Sequence, residues 1–149
     1  MDIQTEINNF LELVLKSDSE LEELEELISG LDRLATLTHD IKYQFDETDY
    51  SDNSNFEYSI IREKVSTRFP NLGYYNSALD VSENIGNSKI ATGDAIDDIT
   101  DITLDLLRIQ WRFENTSPDD ALWHFEFLFK AHWGRHLREL QLYLHDLHC

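Results

Sequence analysis

Between Thr92 and Glu114, apolar side chains return at every third or fourth position: Ala95, Ile99, Ile102, Leu106, Ile109 and Phe113. At about 100° per residue they gather on one side of a helix. The same spacing runs through Ile3, Ile7, Phe10, Leu11, Val14 and Leu15, and again through Leu21, Leu24, Leu27, Ile28, Leu31, Leu34 and Ala35. A further short stripe is Tyr58, Ile61, Val65 and Phe69. Such stripes must bury one another, so the expectation is an all-α, single-domain bundle of roughly four to five helices. Five Gly and two Pro offer little of the punctuation that a many-stranded sandwich needs. A chain of 149 residues is long enough to bury a core without staples.

The boundaries have their own chemistry. Helix 1 spans about Asp2 to Lys16. Ser19 with Glu22, and Ser54 with Glu57, have the spacing of capping boxes. Gly30 interrupts the second stripe and is read as a kink. Gln44 to Asn55, rich in Asp, Ser and Asn, is read as a loop, and Pro70 stops the third helix. From Asn71 to Ala91 no period is settled: Leu72-Gly73-Tyr74-Tyr75 is read as extended and Gly86-Asn87 as a turn. Ser117-Pro118-Asp119-Asp120 supplies an N-cap, a proline at the first helical position and acids at the positive end of the dipole. Helix is expected from there to the C-terminus, long and bent at Gly134.

The formal net charge is −18. That field disfavours direct nucleic-acid and anionic-membrane binding, and favours a basic protein partner or a cation. Acids crowd Glu20 to Glu26, whereas the last thirty residues hold Lys130, Arg135, Arg138 and five of the six His. One cysteine, Cys149, allows no disulfide within the chain. No signal-peptide pattern opens the sequence and no apolar run is long enough to span a bilayer, which points to the cytoplasm.

Four groups of residues invite chemistry. Asp94, Asp97, Asp98, Asp101 and Asp105 share one helix face, as Mg²⁺ or di-metal sites require. That face lies nearly opposite the Ile99/Leu106 stripe, so a single layer of helices would leave it in water; only another element covering it, as Leu104 and Trp111 allow, would make it a site. Glu22-Glu23-Leu24-Glu25-Glu26 fits the Glu-Glu-x-x-Glu of all-α nucleotide pyrophosphatases, but no matching Glu-x-x-Asp follows. His132, His136, Glu139 and Tyr143 form a strip on the last helix, where a His pair at i and i+4 with a Glu one turn on could complete a metal's ligand set. Boundary positions of this kind also suit His and Tyr with ring packed and polar atom wet. Finally, Trp123, Phe125, Phe127, Phe129 and Trp133 point in too many directions for one core face. Trp111, Trp123, Phe127, Trp133 and Tyr143 are therefore the candidates for docking a partner.

The second half resembles a known bacterial family. The residues that carry the resemblance are Asp97-Asp98-Ile99 with Asp101 and Asp105-Leu106, then Ala121-Leu122-Trp123, His132-Trp133-Gly134 and Leu140 to His145. Ile61-Arg62 and Phe69-Pro70 extend it upstream. Over residues 55–148 the chain is similar to the family known as domain of unknown function 5063. The resemblance implies a small bacterial helical protein and carries over no activity. The leading expectation is a non-enzymatic interaction or regulatory module with an acidic surface and no cofactor. The alternative is a metal-dependent hydrolase, its divalent metal held by the helical carboxylates or the His pair.

Overall fold

The computed structural model describes residues 2–16 and 24–149. In chain order the elements are α1 (Ile3–Leu15), α2 (Leu24–Leu37), α3 (Tyr58–Arg68), β1 (Tyr74–Ala78), β2 (Ile90–Asp94), α4 (Ala95–Asn115), α5 (Pro118–Leu128), a π-helical turn (Phe129–Trp133) and α6 (Gly134–His148). The architecture is mostly helical, but not purely so. Residues 74–94 form an antiparallel hairpin in which Tyr75 pairs with Gly93 and Ala78 with Ile90. The extended reading of Leu72–Tyr75 thus finds its second strand in Ile90–Asp94, which takes the first residues assigned to the long helix. A positive φ at Gly86 turns the hairpin tip, a backbone that a Cβ resists.

α4 is the axis of the molecule. Its expected stripe is buried up to the half-buried Phe113, with Ile99, Ile102, Leu106 and Ile109 wholly out of water. So are Thr100 and Thr103 on other faces, because α1, α3, α5 and α6 all pack on this one helix. The aspartate row was expected to face solvent on the premise of a single layer. That premise fails: α6 covers the row, and Asp98 and Asp105 are 3% and 1% exposed.

Local signals held or failed for visible reasons. Asp2 caps α1, accepting from the Thr5 amide at 3.0 Å. Gly30 does not kink α2, which runs on through it; a Cβ there would lie 3.2 Å from the Phe10 ring, so glycine lets α1 and α2 approach. The Ser54/Glu57 box does not form, since Ser54 bonds Asp52 from both its amide and its hydroxyl. The Ser19/Glu22 box, and Glu22 and Glu23 of the acid run, lie outside the described residues. Of the α3 stripe, Ile61, Val65 and Phe69 are buried, while Tyr58 is 39% exposed. Ser117 caps α5 and accepts from the Asp120 amide at 3.1 Å. It also donates to Asp46 at 2.5 Å, tying the long 41–57 segment to α5. Among the described residues no helix is long and apolar enough to cross a membrane.

Candidate metal centre

The site is built where α6 lies over the aspartate face of α4. His132 sits in the π turn and His136 in the first turn of α6. Each imidazole meets its own buried carboxylate: His132 Nδ1 is 2.6 Å from Asp105 Oδ2, and His136 Nδ1 is 2.7 Å from Asp98 Oδ1. An ionised carboxylate only accepts, so in both rings Nδ1 carries the hydrogen. In the neutral rings the lone pair is then at Nε2. Both Nε2 atoms turn toward Asp101: His136 Nε2 is 3.3 Å and His132 Nε2 is 4.0 Å from Asp101 Oδ2. One donor atom from each of Asp101, His132 and His136 lies within 4.8 Å of the others. The rings meet edge to face with centroids 4.9 Å apart.

Burying an unpaired carboxylate costs several kcal/mol, so Asp98 and Asp105 need their partners. Asp98 has two. Besides His136, the Tyr75 hydroxyl donates to its other oxygen at 2.5 Å. The hairpin makes this possible: Tyr75 faces Gly93 across the ladder, and a Cβ on Gly93 would fall 2.2 Å from the tyrosine ring. Asp105 also accepts from Arg108 at 3.1 Å. Among the described residues Asp98, Asp101 and Asp105 thus meet one guanidinium, that of Arg108. With both imidazoles neutral, about two negative charges go unmatched.

Electrostatics agree with that shortfall. Burial raises the Asp98 carboxyl, against the hydrogen bonds from His136 and Tyr75 that lower it. Asp101 is raised by burial and by the nearby charge of Asp97. His136 is raised by its bond to Asp98, burial opposing, with Asp101 and Asp97 adding to the rise. With no metal bound, Asp98 and the neighbouring carboxylates Asp101 and Asp97 favour the protonated imidazole of His136. Tyr75 is pushed far up by burial and by Asp98.

The other expected ligands go elsewhere. Asp94 caps α4, accepting from the Ile96 and Asp97 amides, and pairs with Arg62 at 2.8 Å. Asp97 accepts from the Tyr58 hydroxyl but stays beside the site, with one oxygen within 4.8 Å of donor atoms of Asp98 and His136. Glu139 takes hydrogen bonds from Ser77 at 2.5 Å and Arg135 at 3.0 Å, so it fastens the hairpin rather than joining the His pair. Tyr143 stacks on Tyr75, centroids 5.1 Å apart, and accepts from the Gly73 amide. Among the docking candidates, Trp133 is core, packed on Phe125 and Phe129. Trp111 is half-buried. Trp123 stacks on the exposed Phe127 at 5.0 Å. Tyr75, Tyr58 and Arg108 were missed as site residues; the extended reading of Leu72–Tyr75 was the one legible trace of the first.

The family model described as domain of unknown function matches residues 1–149. The chain belongs to the DUF5063 family. Membership therefore reaches past the 55–148 segment to include α1 and α2. A solved structure, protein BF1032 from Bacteroides fragilis, is similar to this DUF5063 chain with a TM-score of 0.71. The match covers 98% of this chain and 89% of that one at 17% identity, a likeness of fold. No curated protein matches the chain.

Proposed function

We propose that this chain is a metalloprotein, with one divalent transition metal held by His132 Nε2, His136 Nε2 and Asp101. The observation that carries the reading is the anchoring of both imidazoles at Nδ1 by buried carboxylates. That carboxylate–histidine arrangement fixes the tautomer and raises ligand basicity in metal sites. The donor spacing also fits. Around a tetrahedral metal with bonds near 2.0–2.1 Å, donors stand about 3.3 Å apart. The His136–Asp101 separation of 3.3 Å meets this, and His132, its side chain 43% exposed, has room to close its 4.0 Å. Two nitrogens and one carboxylate suit Zn²⁺ or Fe²⁺ better than Mg²⁺, which prefers oxygen.

Three protein ligands leave positions open on the side where His132 meets solvent. A metal there supplies Lewis acidity, lowering the pKa of bound water or polarising a carbonyl or phosphoryl oxygen. The chain's part would be to hold both rings by Nδ1 so that Nε2 faces the metal, which displaces the Nε2 proton that the carboxylates favour on His136. This favours the metal-dependent hydrolase over the interaction module, because the latter reading assumed a solvated aspartate row. The test is thermal unfolding after EDTA treatment, with Mg²⁺, Mn²⁺, Fe²⁺ or Zn²⁺ added back. A transition-metal rise in Tm that His132→Ala and His136→Ala abolish supports the centre; no response at millimolar metal sinks it.

A second reading has one observation in its favour. Phe45, 65% exposed, meets Trp123 edge-on at 6.1 Å, and Trp123 stacks on Phe127. Such an aromatic strip at the surface suits a protein partner. Pull-down with wild type against Phe45→Ser/Phe127→Ser separates it from the metal reading.

A further inference from the structure

A cleft of about 710 Å³ opens between the hairpin loop and the C-terminal half of α6. Its size is that of a small-molecule site. The floor is the stacked pair Tyr75 and Tyr143 beside Ser77 and Glu139. Val81 and Ile85 from the loop and Leu142 from α6 stand in its walls, each more than 70% exposed. Large apolar side chains left this open have no occupant of their own chain among the described residues.

The charges in the lining are all of one sign: Asp80, Glu139 and Asp146. Glu139 is matched by Arg135, which also donates to the Ala78 carbonyl and so closes one end of the cleft. Among the described residues the Asp80 carboxylate accepts only from the Asn84 amide group, at 3.2 Å, and meets no cation. Asp146 has no hydrogen-bond or ion-pair partner among the described residues. The cleft therefore offers two unmatched carboxylates at its rim, apolar walls between, and an aromatic floor whose ring faces attract cations. In a chain of net charge −18, an anionic or neutral apolar ligand satisfies only the walls.

We propose that this cleft binds a small linear alkylammonium ligand of the diamine or polyamine type. Its ammonium groups meet Asp80 and Asp146, and its methylene stem lies along Val81, Ile85 and Leu142. The proposal is independent of the metal centre, with which the cleft shares only Tyr75, and its binding is read on EDTA-treated protein.

The test is calorimetric titration with spermidine. Saturable one-to-one binding is expected, weakening as NaCl rises from 50 to 500 mM. Asp80→Asn/Asp146→Asn should weaken it by up to about 25-fold, about fivefold at most for each exposed ion pair removed. Glu47→Gln/Asp49→Asn removes the same charge from the exposed 41–57 segment and should change nothing. Leu142→Ser should weaken spermidine but not Mg²⁺, which has no stem. Circular dichroism and melting of each variant establish that it is folded. The proposal is overturned by an absence of binding at millimolar spermidine, by equal loss in both charge variants, or by hexanoate binding as well as spermidine does. Tighter binding of a lysine-containing tripeptide than of spermidine would also overturn it, assigning the cleft to a basic protein partner.

Discussion

His136 donates from Nδ1 to Asp98, a carboxylate almost wholly out of water, at 2.7 Å. Asp98 is thus a positioning residue, acting on a metal through the imidazole it orients. Asp98→Asn keeps the shape but places an amide where two donors converge. Metal affinity should fall about 10–100-fold, the usual cost of losing an outer-shell partner. His136→Ala should abolish binding. Glu139→Gln should leave it unchanged, because Glu139 serves Ser77 and Arg135. Chelator-competition titrations measure all three; a Glu139 variant as damaged as the Asp98 variant would refute this ligand assignment.

The pH dependence of the metal-free protein follows from the same residues. His136 is raised above 6.5 in the fold, so its contribution is fully present below that value and fades as pH climbs through the folded pKa. Asp98 and Asp101, raised from 3.8, act in the same sense, favouring the acid side. Asp46 and Asp52, lowered by hydrogen bonds led by Ser117 and Ser54, act only at acid pH and are constant above 6.5. Metal-free protein should therefore melt lower at pH 8.5 than at pH 6.5. The increment that Zn²⁺ adds to Tm should grow over that interval, as metal no longer competes with a proton. Scanning calorimetry at four pH values checks both slopes; a Zn²⁺ increment that shrinks with pH contradicts binding at the imidazoles.

Helices α1, α2 and α4 were legible because each carries a stripe that a 3.6-residue period explains, whereas α5 was legible from its Ser117-Pro118 start. Ile99, Leu106 and Ile109 fell in the core where projection put them. The hairpin was half legible, since Tyr74–Ala78 has exposed and half-buried residues in alternation but little apolar weight. The aspartate row failed for a different reason. Projection locates Asp98 and Asp105 relative to Ile99, yet cannot say whether a second layer covers them. That depends on the π turn and α6, whose His132 and His136 offset the cost of covering two carboxylates. The two motifs were visible separately, and their complementarity across 27 and 38 residues was not.

Tyr75 reaches Asp98 because residue 93 has no side chain, so the two positions should be energetically coupled. Tyr75→Phe removes a donor from a buried carboxylate and should cost about 1–3 kcal/mol. Gly93→Ala sets a Cβ 2.2 Å from the ring and should displace it. The alanine should be far cheaper when residue 75 is already serine, giving a coupling of about 1 kcal/mol or more in urea denaturation. Additive costs would show that the ring does not need the space over Gly93.

The π turn sets the relation between the two imidazoles, His132 lying within it and His136 beyond it. Gly134 makes the turn possible. Its amide bonds back to the Phe129 carbonyl, and a Cβ there would fall 2.4 Å from that oxygen and 2.9 Å from the Phe129 ring. Backbone does not yield as a flexible side chain does, so Gly134→Ala should cost about 1–3 kcal/mol, or relieve itself by converting the turn to ordinary α-helix. Conversion would rotate Phe129–Trp133 relative to α6 and part the His132 Nε2 from Asp101. Helical circular dichroism should survive, whereas metal affinity should drop by at least about tenfold through loss of one ligand. A folded Gly134→Ala protein with wild-type affinity would show that the turn packs Trp133 and does nothing for the metal.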